Sequence, residues 1–232
     1  FFEIVITDCT EPFPYEFEAV YYDENRHIFK DPYRILPQMS EYDRYLFNNG
    51  TNYEIYNTLG AQLVTIDGVN GTIFRVWAPS AKRVSIIGNF NYWDGRVHQM
   101  RILGNSGIWE LFIPDIGQGE PYKFEIKTQT DALLEKADPF QFFSEIRPKT
   151  ASIVWGLDGY PWDDAAWIKE RQSRRSYEQP MSTYEVHLGS WRRDPADPTR
   201  LLSFQELASS LIPYVKEMGF THIELMPIME HP

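Results

Sequence analysis

Between residues 61 and 155, apolar and polar side chains follow a period of two, the mark of strands that turn one face inward. Ile73-Phe74-Arg75-Val76-Trp77, Val84-Ser85-Ile86-Ile87, Trp109-Glu110-Leu111-Phe112-Ile113 and Tyr122-Lys123-Phe124-Glu125-Ile126-Lys127 alternate or stay apolar in short runs. Turn clusters separate them: Ala78-Pro79-Ser80, Gly88-Asn89, Gly104-Asn105-Ser106-Gly107 and Gly117-Gln118-Gly119. Short strands so punctuated predict an antiparallel immunoglobulin-like β-sandwich of roughly a hundred residues.

The period changes to 3.6 near the end of the chain. Phe204, Leu207, Ala208, Leu211, Val215 and Met218 share one helical face. Ser203 and Glu206 have the spacing of a capping box, and Gly219 suits the residue just past a helix. Pro213 inside that helix removes a backbone donor and predicts a kink or a split. Residues 182–191 before it and 221–227 after it predict strands, so the segment is one βαβ unit whose strands run parallel. A single such unit cannot cover its own sheet, since parallel sheets occur almost only when buried on both faces. The last fifty residues therefore predict the beginning of a larger α/β domain.

Elsewhere the pattern is weaker. Residues 1–40 carry one possible strand at 16–21 and a turn at Asp31-Pro32-Tyr33. They read as the tail of a preceding domain. Residues 41–60 predict a helical junction: Ser40 is the N-cap, Tyr42, Tyr45 and Leu46 have helical spacing, and Thr51-Asn52 would restart the helix. Residues 156–181, with Lys169, Arg171, Arg174 and Arg175 against Glu170 and Glu178, predict a solvated linker.

Composition narrows the function. The net charge of −11 argues against nucleic-acid binding, because phosphate affinity comes mainly from Lys and Arg. There is no run of about 18 apolar residues to span a membrane. No secretory leader is visible, and the lone Cys9 excludes an internal disulfide framework, which fits a reducing cytoplasm. The aromatic share, 16% with 7 Trp, fits an aromatic-rich core or carbohydrate handling, and composition does not choose between them. Flat aromatic faces pack well against the apolar C–H faces of sugar rings. No His/Cys/Asp spacing suits a structural zinc, and no cofactor is indicated. The chain opens on Phe1 and closes on His231-Pro232 directly after an apolar run, so a fragment is expected.

Tyr184-Glu185-Val186-His187-Leu188-Gly189-Ser190-Trp191 and the stretch from Gly219 to Pro232 (GFTHIELMPIMEHP) closely resemble the first two barrel strands of 1,4-α-glucan branching enzymes of the α-amylase family. FRVWAPSAKRVSIIGNFNYWDG resembles the glucan-binding-type sandwich that precedes their catalytic barrel, and DPYRILPQMSEYDRYLFNNGTNYEIYNTLGA resembles the junction between that module and an additional N-terminal sandwich, whose tail residues 1–40 would be. The resemblance implies a (β/α)8 barrel beginning at 182–232, where residues 61–155 form the preceding module. It implies an α-1,4-glucan partner (amylose, glycogen, malto-oligosaccharides) and the rest of the barrel, which needs about 250 residues. The reaction implied is a retaining double displacement in which an Asp nucleophile and a Glu acid/base, about 5–5.5 Å apart, transfer a glucan segment to a 6-hydroxyl. Those catalytic carboxylates match nothing here and are expected beyond Pro232.

The resemblance implies Trp93 either as a sugar platform or as a residue partly covered where the module packs on the barrel, and Trp191, after the first barrel strand, as a cleft or packing residue. Glu185, Glu230, His187 and His231 match no catalytic position and are expected to be structural. Asn89 and Asn91 are expected as turn formers, since Asn tolerates left-handed backbone. A non-catalytic glucan-binding protein and two other α-amylase relatives, a trehalose-releasing hydrolase and a debranching enzyme, are the alternatives. The βαβ segment argues against the first, and the Gly-Ser-Trp and Glu-His-Pro strings against the others.

Overall fold

The period-two runs become strands of two antiparallel sheets in the computed structural model, which describes residues 4–7, 9, 13–173 and 178–229. Two compact units result, Phe1–Tyr160 and Pro161–Pro232. In the first, β1 (Phe17–Val20) and β2 (Arg26–Phe29) form an exposed hairpin; only the first strand was expected. Helix α1 (Glu41–Asn48) starts where Ser40 accepts a hydrogen bond from the Asp43 N–H, as a capping serine should. The expected inward face is wrong in detail. Tyr42 and Tyr45 are exposed, while Phe47 packs inward. No helix restarts at Thr51; a short 3-10 turn follows at Ile55–Asn57.

The sandwich begins at β3 (Gly60–Ile66), followed by β4 (Val69–Trp77), β5 (Ala81–Gly88), β6 (Arg101–Ile102), β7 (Ile108–Pro114) and β8 (Pro121–Thr128). Short strands β9 (Leu133–Lys136), β10 (Phe143–Ser144) and β11 (Ser152–Ile153) complete it. One sheet has the order β3-β4-β7-β6; the other runs β10-β11-β8-β5, with β9 also paired to β8. Between them lie Phe74, Val84, Ile86, Leu111, Tyr122, Phe124 and their neighbours, with the Tyr122 ring set edge-on to both Phe74 and Phe124. Edge-to-face geometry of this kind adds roughly 0.5–1.5 kcal/mol per pair beyond simple burial.

Strands β4 and β7 are buried continuously instead of alternately, because the outer face of their sheet is also covered. Ile35 packs there on Ile73 and Phe112, and Met39 and Leu59 on Leu103 and Ile108. A cross-strand ion pair fastens this cover. Arg75 on β4 lies opposite Glu110 on β7 at 2.6 Å, with only 9% and 3% of the side chains exposed. Glu110 also accepts from the backbone N–H groups of Gln38 (2.5 Å) and Met39 (3.0 Å), and Arg75 donates to the Thr58 carbonyl (3.0 Å). Each charge thus has a hydrogen-bond partner beyond the other, which eases the cost of burying the pair. The 35–59 segment is thus part of the first unit's core.

In the second unit the stretch expected as linker carries an exposed helix, α2 (Ala165–Ser173); Arg174 and Arg175 lie outside the described residues. Strand β12 (Thr183–Val186) is shorter than the predicted 182–191. His187 ends it, and the N–H groups of Ser190 and Trp191 turn back to the His187 carbonyl, giving a helical turn, α3 (Leu188–Trp191). Helix α4 (Phe204–Glu217) carries the predicted capping box: Ser203 Oγ accepts from the Glu206 N–H, and the Glu206 carboxylate accepts from the Ser203 N–H. Pro213 does not split it. Leu211 and Val215, on either side of the proline, are both buried, whereas Phe204 and Met218 are exposed. Gly219 (φ +80°) closes the helix, with the Phe220 N–H reaching the Val215 carbonyl at 3.1 Å. The chain then forms β13 (His222–Leu225), parallel to β12. Tyr184 and Val186 turn toward α4; every residue of β13 remains exposed. No helix among the described residues is long and apolar enough to cross a membrane.

Candidate functional site

The loop after β5 is built around one buried amide. Asn91 accepts from the Gly88 N–H through Oδ1 (2.9 Å) and donates from Nδ2 to the Ile86 carbonyl (2.8 Å). These two backbone contacts fix which end of the amide is which. Nδ2 therefore also faces His98 Nδ1, at 3.0 Å, as a donor. His98 must then carry its proton on Nε2 and be neutral, and burial pushes its pKa below the ordinary value. Gly88 is required here because a Cβ would stand 2.6 Å from the Pro121 carbonyl oxygen.

This clamp holds a strained pair. Tyr92 and Trp93 have φ of 54° and 59°, a conformation that costs non-glycine residues of order 1–3 kcal/mol. The left-handed positions are therefore these aromatics; Asn91, expected to take that role, lies in a 3-10 turn (Asn89–Asn91). The Trp93 N–H reaches the Gly88 carbonyl (2.9 Å), and the Asp94 N–H reaches that of Asn91 (3.0 Å). Arg96 beside Asp94 holds its carboxyl at about 2.

The result is an indole fixed at its edge and open on the surface. Trp93 Nε1 donates to Asn89 Oδ1 (3.0 Å) and the side chain is 37% exposed. Next to it runs a groove of about 500 Å³ lined by Asn89, Lys123, Glu135, Glu145 and Lys149. Lys123 and Glu135 stand 3.6 Å apart, Lys149 and Glu145 3.4 Å. A fixed aromatic face with donors and acceptors of both kinds alongside suits a ring that is apolar on its faces and hydroxylated at its rim.

Trp191 lies in the second unit and is engaged internally. Its Nε1 donates to the Tyr184 hydroxyl (3.2 Å), its ring meets Tyr214 edge-on, and the Arg192 guanidinium lies 4.3 Å from its centroid. His187 Nδ1 is 2.8 Å from Ser190 Oγ, and Glu185 stands exposed on β12 opposite Glu224. Glu230 and His231 lie outside the described residues. Among the described residues no group of three or more His, Cys, Asp or Glu could hold a metal ion.

Residues 58–141 match carbohydrate-binding module 48 (isoamylase N-terminal domain). Over 93% of its length the chain is 50% identical to the 1,4-alpha-glucan branching enzyme GlgB of Synechococcus sp. (strain JA-2-3B'a(2-13)). Along most of its length the chain is similar to branching enzymes. A second relative, GlgB of Rubrobacter xylanophilus, is 53% identical over 88% of the chain. The chain spans 31% of the first of these relatives and 28% of the second. A crystal structure of ligand-free PulA from Klebsiella pneumoniae has the same fold over 75% of this chain and 18% of its own, with a TM-score of 0.53 at 21% identity.

Proposed function

We propose that this chain is part of a 1,4-α-glucan branching enzyme. The longer protein would cut an α-1,4-glucan and pass the freed segment to a 6-hydroxyl, creating an α-1,6 branch of glycogen by retaining double displacement. The observation that carries the proposal is 50% identity to a curated branching enzyme along nearly the whole chain. In this reading the sandwich holds glucan on Trp93, and β12-α4-β13 opens the catalytic (β/α)8 barrel. Support for the second assignment is the parallel pairing of β12 and β13, with α4 packed on one side and the remaining strand surface bare. Trp191 would then stand beside the barrel mouth as a packing residue. A reducing cytoplasm is the compartment that suits the exposed thiol of Cys9.

The test is an iodine-stain assay on amylose. The 232-residue chain is expected to leave the stain unchanged, and the longer gene product to shift it as branches form. Branching by the purified chain alone, or none by the longer protein, would overturn the assignment.

A further inference from the structure

A second groove, of about 710 Å³, opens in the first unit and shares no lining residue with the one beside Trp93. Trp155 lines it. The indole stacks on Phe143 (centroids 4.8 Å, planes 24° apart) and is 37% exposed. A ring backed by another ring is held flat and rigid, so a ligand that stacks on the exposed surface orders little.

Two amides in the groove are already oriented by the backbone. Gln62 Nε2 donates to the carbonyls of both Tyr56 (3.0 Å) and Leu59 (2.9 Å). Both of its protons are spent, so Oε1 is left as an acceptor. Gln118 is held in the opposite sense: its Oε1 accepts from the Gly156 N–H (3.4 Å), which leaves the two protons of Nε2 as donors. The Asp158 carboxylate adds a charged acceptor and Leu63 an apolar wall. A fixed acceptor, a fixed donor and a carboxylate around a flat aromatic match neighbouring sugar hydroxyls, each of which both donates and accepts. An apolar protein segment would leave these groups unpaired, at a cost of about 1–3 kcal/mol each.

We propose that the Trp155 groove is a second α-glucan-binding site. It rests on the reading of the sandwich as a glucan-binding module. The two sites lie on either side of β11: Ala151 just before that strand lines the Trp93 groove, and Trp155 just after it lines the other. For a glucan long enough to reach both, tethering at one site would raise the effective concentration at the other.

Nuclear magnetic resonance of the whole chain with maltoheptaose separates the sites, through the indole N–H signals of Trp93 and Trp155 and the amide of Gly156. Both indoles are expected to shift. In Trp93→Ala the Trp155 and Gly156 signals should still titrate; in Trp155→Ala the Trp93 signal should. Gln118→Ala, at an exposed position, should weaken the Trp155 titration about fivefold, the loss of one hydrogen bond, and leave Trp93 alone. Unmoved Trp155 and Gly156 signals while Trp93 titrates would overturn the second site only. If neither indole moves, the glucan-binding reading falls with it.

Discussion

The two units differ in how many of their strand faces are covered. In the sandwich, β4 and β7 are covered on both sides: by the opposing sheet inside, and by the 35–59 segment outside. Among the described residues of the βαβ unit only one side of a two-stranded sheet is covered, and the buried apolar residues are Val186, Leu207, Leu211 and Val215. The first unit has a core of its own. The second has local structure of good quality, including a full capping box and a glycine-closed helix, resting on a small core. Local signals and tertiary burial are thus separable, and the second unit has the former in excess of the latter.

The largest expected effect falls on the sandwich's outer cover. Glu110→Ala leaves Arg75 buried without its partner and frees the Gln38 and Met39 amides, and should cost about 3–5 kcal/mol. Urea unfolding followed through the sandwich amides checks this. A paired change, Arg75→Met with Glu110→Leu, should recover much of the loss; if it does not, the pair is more than a fastener. Next comes Ser203→Ala, which removes the α4 cap and should cost about 1 kcal/mol. Hydrogen exchange should report that loss in α4, β12 and β13 and leave β4 and β7 unchanged. Equal loss in both units would dissolve the distinction between them.

A smaller effect belongs to His98. Its folded pKa lies below the ordinary value of about 6.5, so the unfolded chain takes up the proton first. The stability from neutral His98 is complete above about 6.5. It is lost as pH falls from there through the folded pKa, and no further below it. The same protonation removes the acceptor for Asn91 Nδ2 and should loosen the Trp93 loop. His98→Gln, which offers an acceptor that does not titrate, should flatten that part of the stability-pH curve. A curve identical to that of the unmodified chain would show that the clamp does not depend on the imidazole.

Much of this was legible in the sequence, and the rest was hidden for physical reasons. The main sandwich strands follow from period-two runs, and α4 from spacing and caps that act within a single turn. Strand β9 was not legible, because all four of its residues are exposed and carry no inward pattern. Nor was the end of β12 at Val186, since the apolar string through Trp191 reads equally as strand or as helical turn. Trp93 was visible through its motif. What holds it was not: His98 meets Asn91, and Arg75 meets Glu110, only once turn and register are formed. The Trp155 groove likewise joins Gln62, Gln118 and Trp155, which no spacing connects.

Calorimetric titration of the chain with maltoheptaose, beside Trp93→Ala, tests the central claim that the sandwich presents Trp93 to glucan. The unmodified chain should bind, and the variant should lose affinity about tenfold, the scale of a fully used aromatic anchor, with its thermal unfolding unchanged. Equal affinity in the two proteins, or no binding in either, would contradict it.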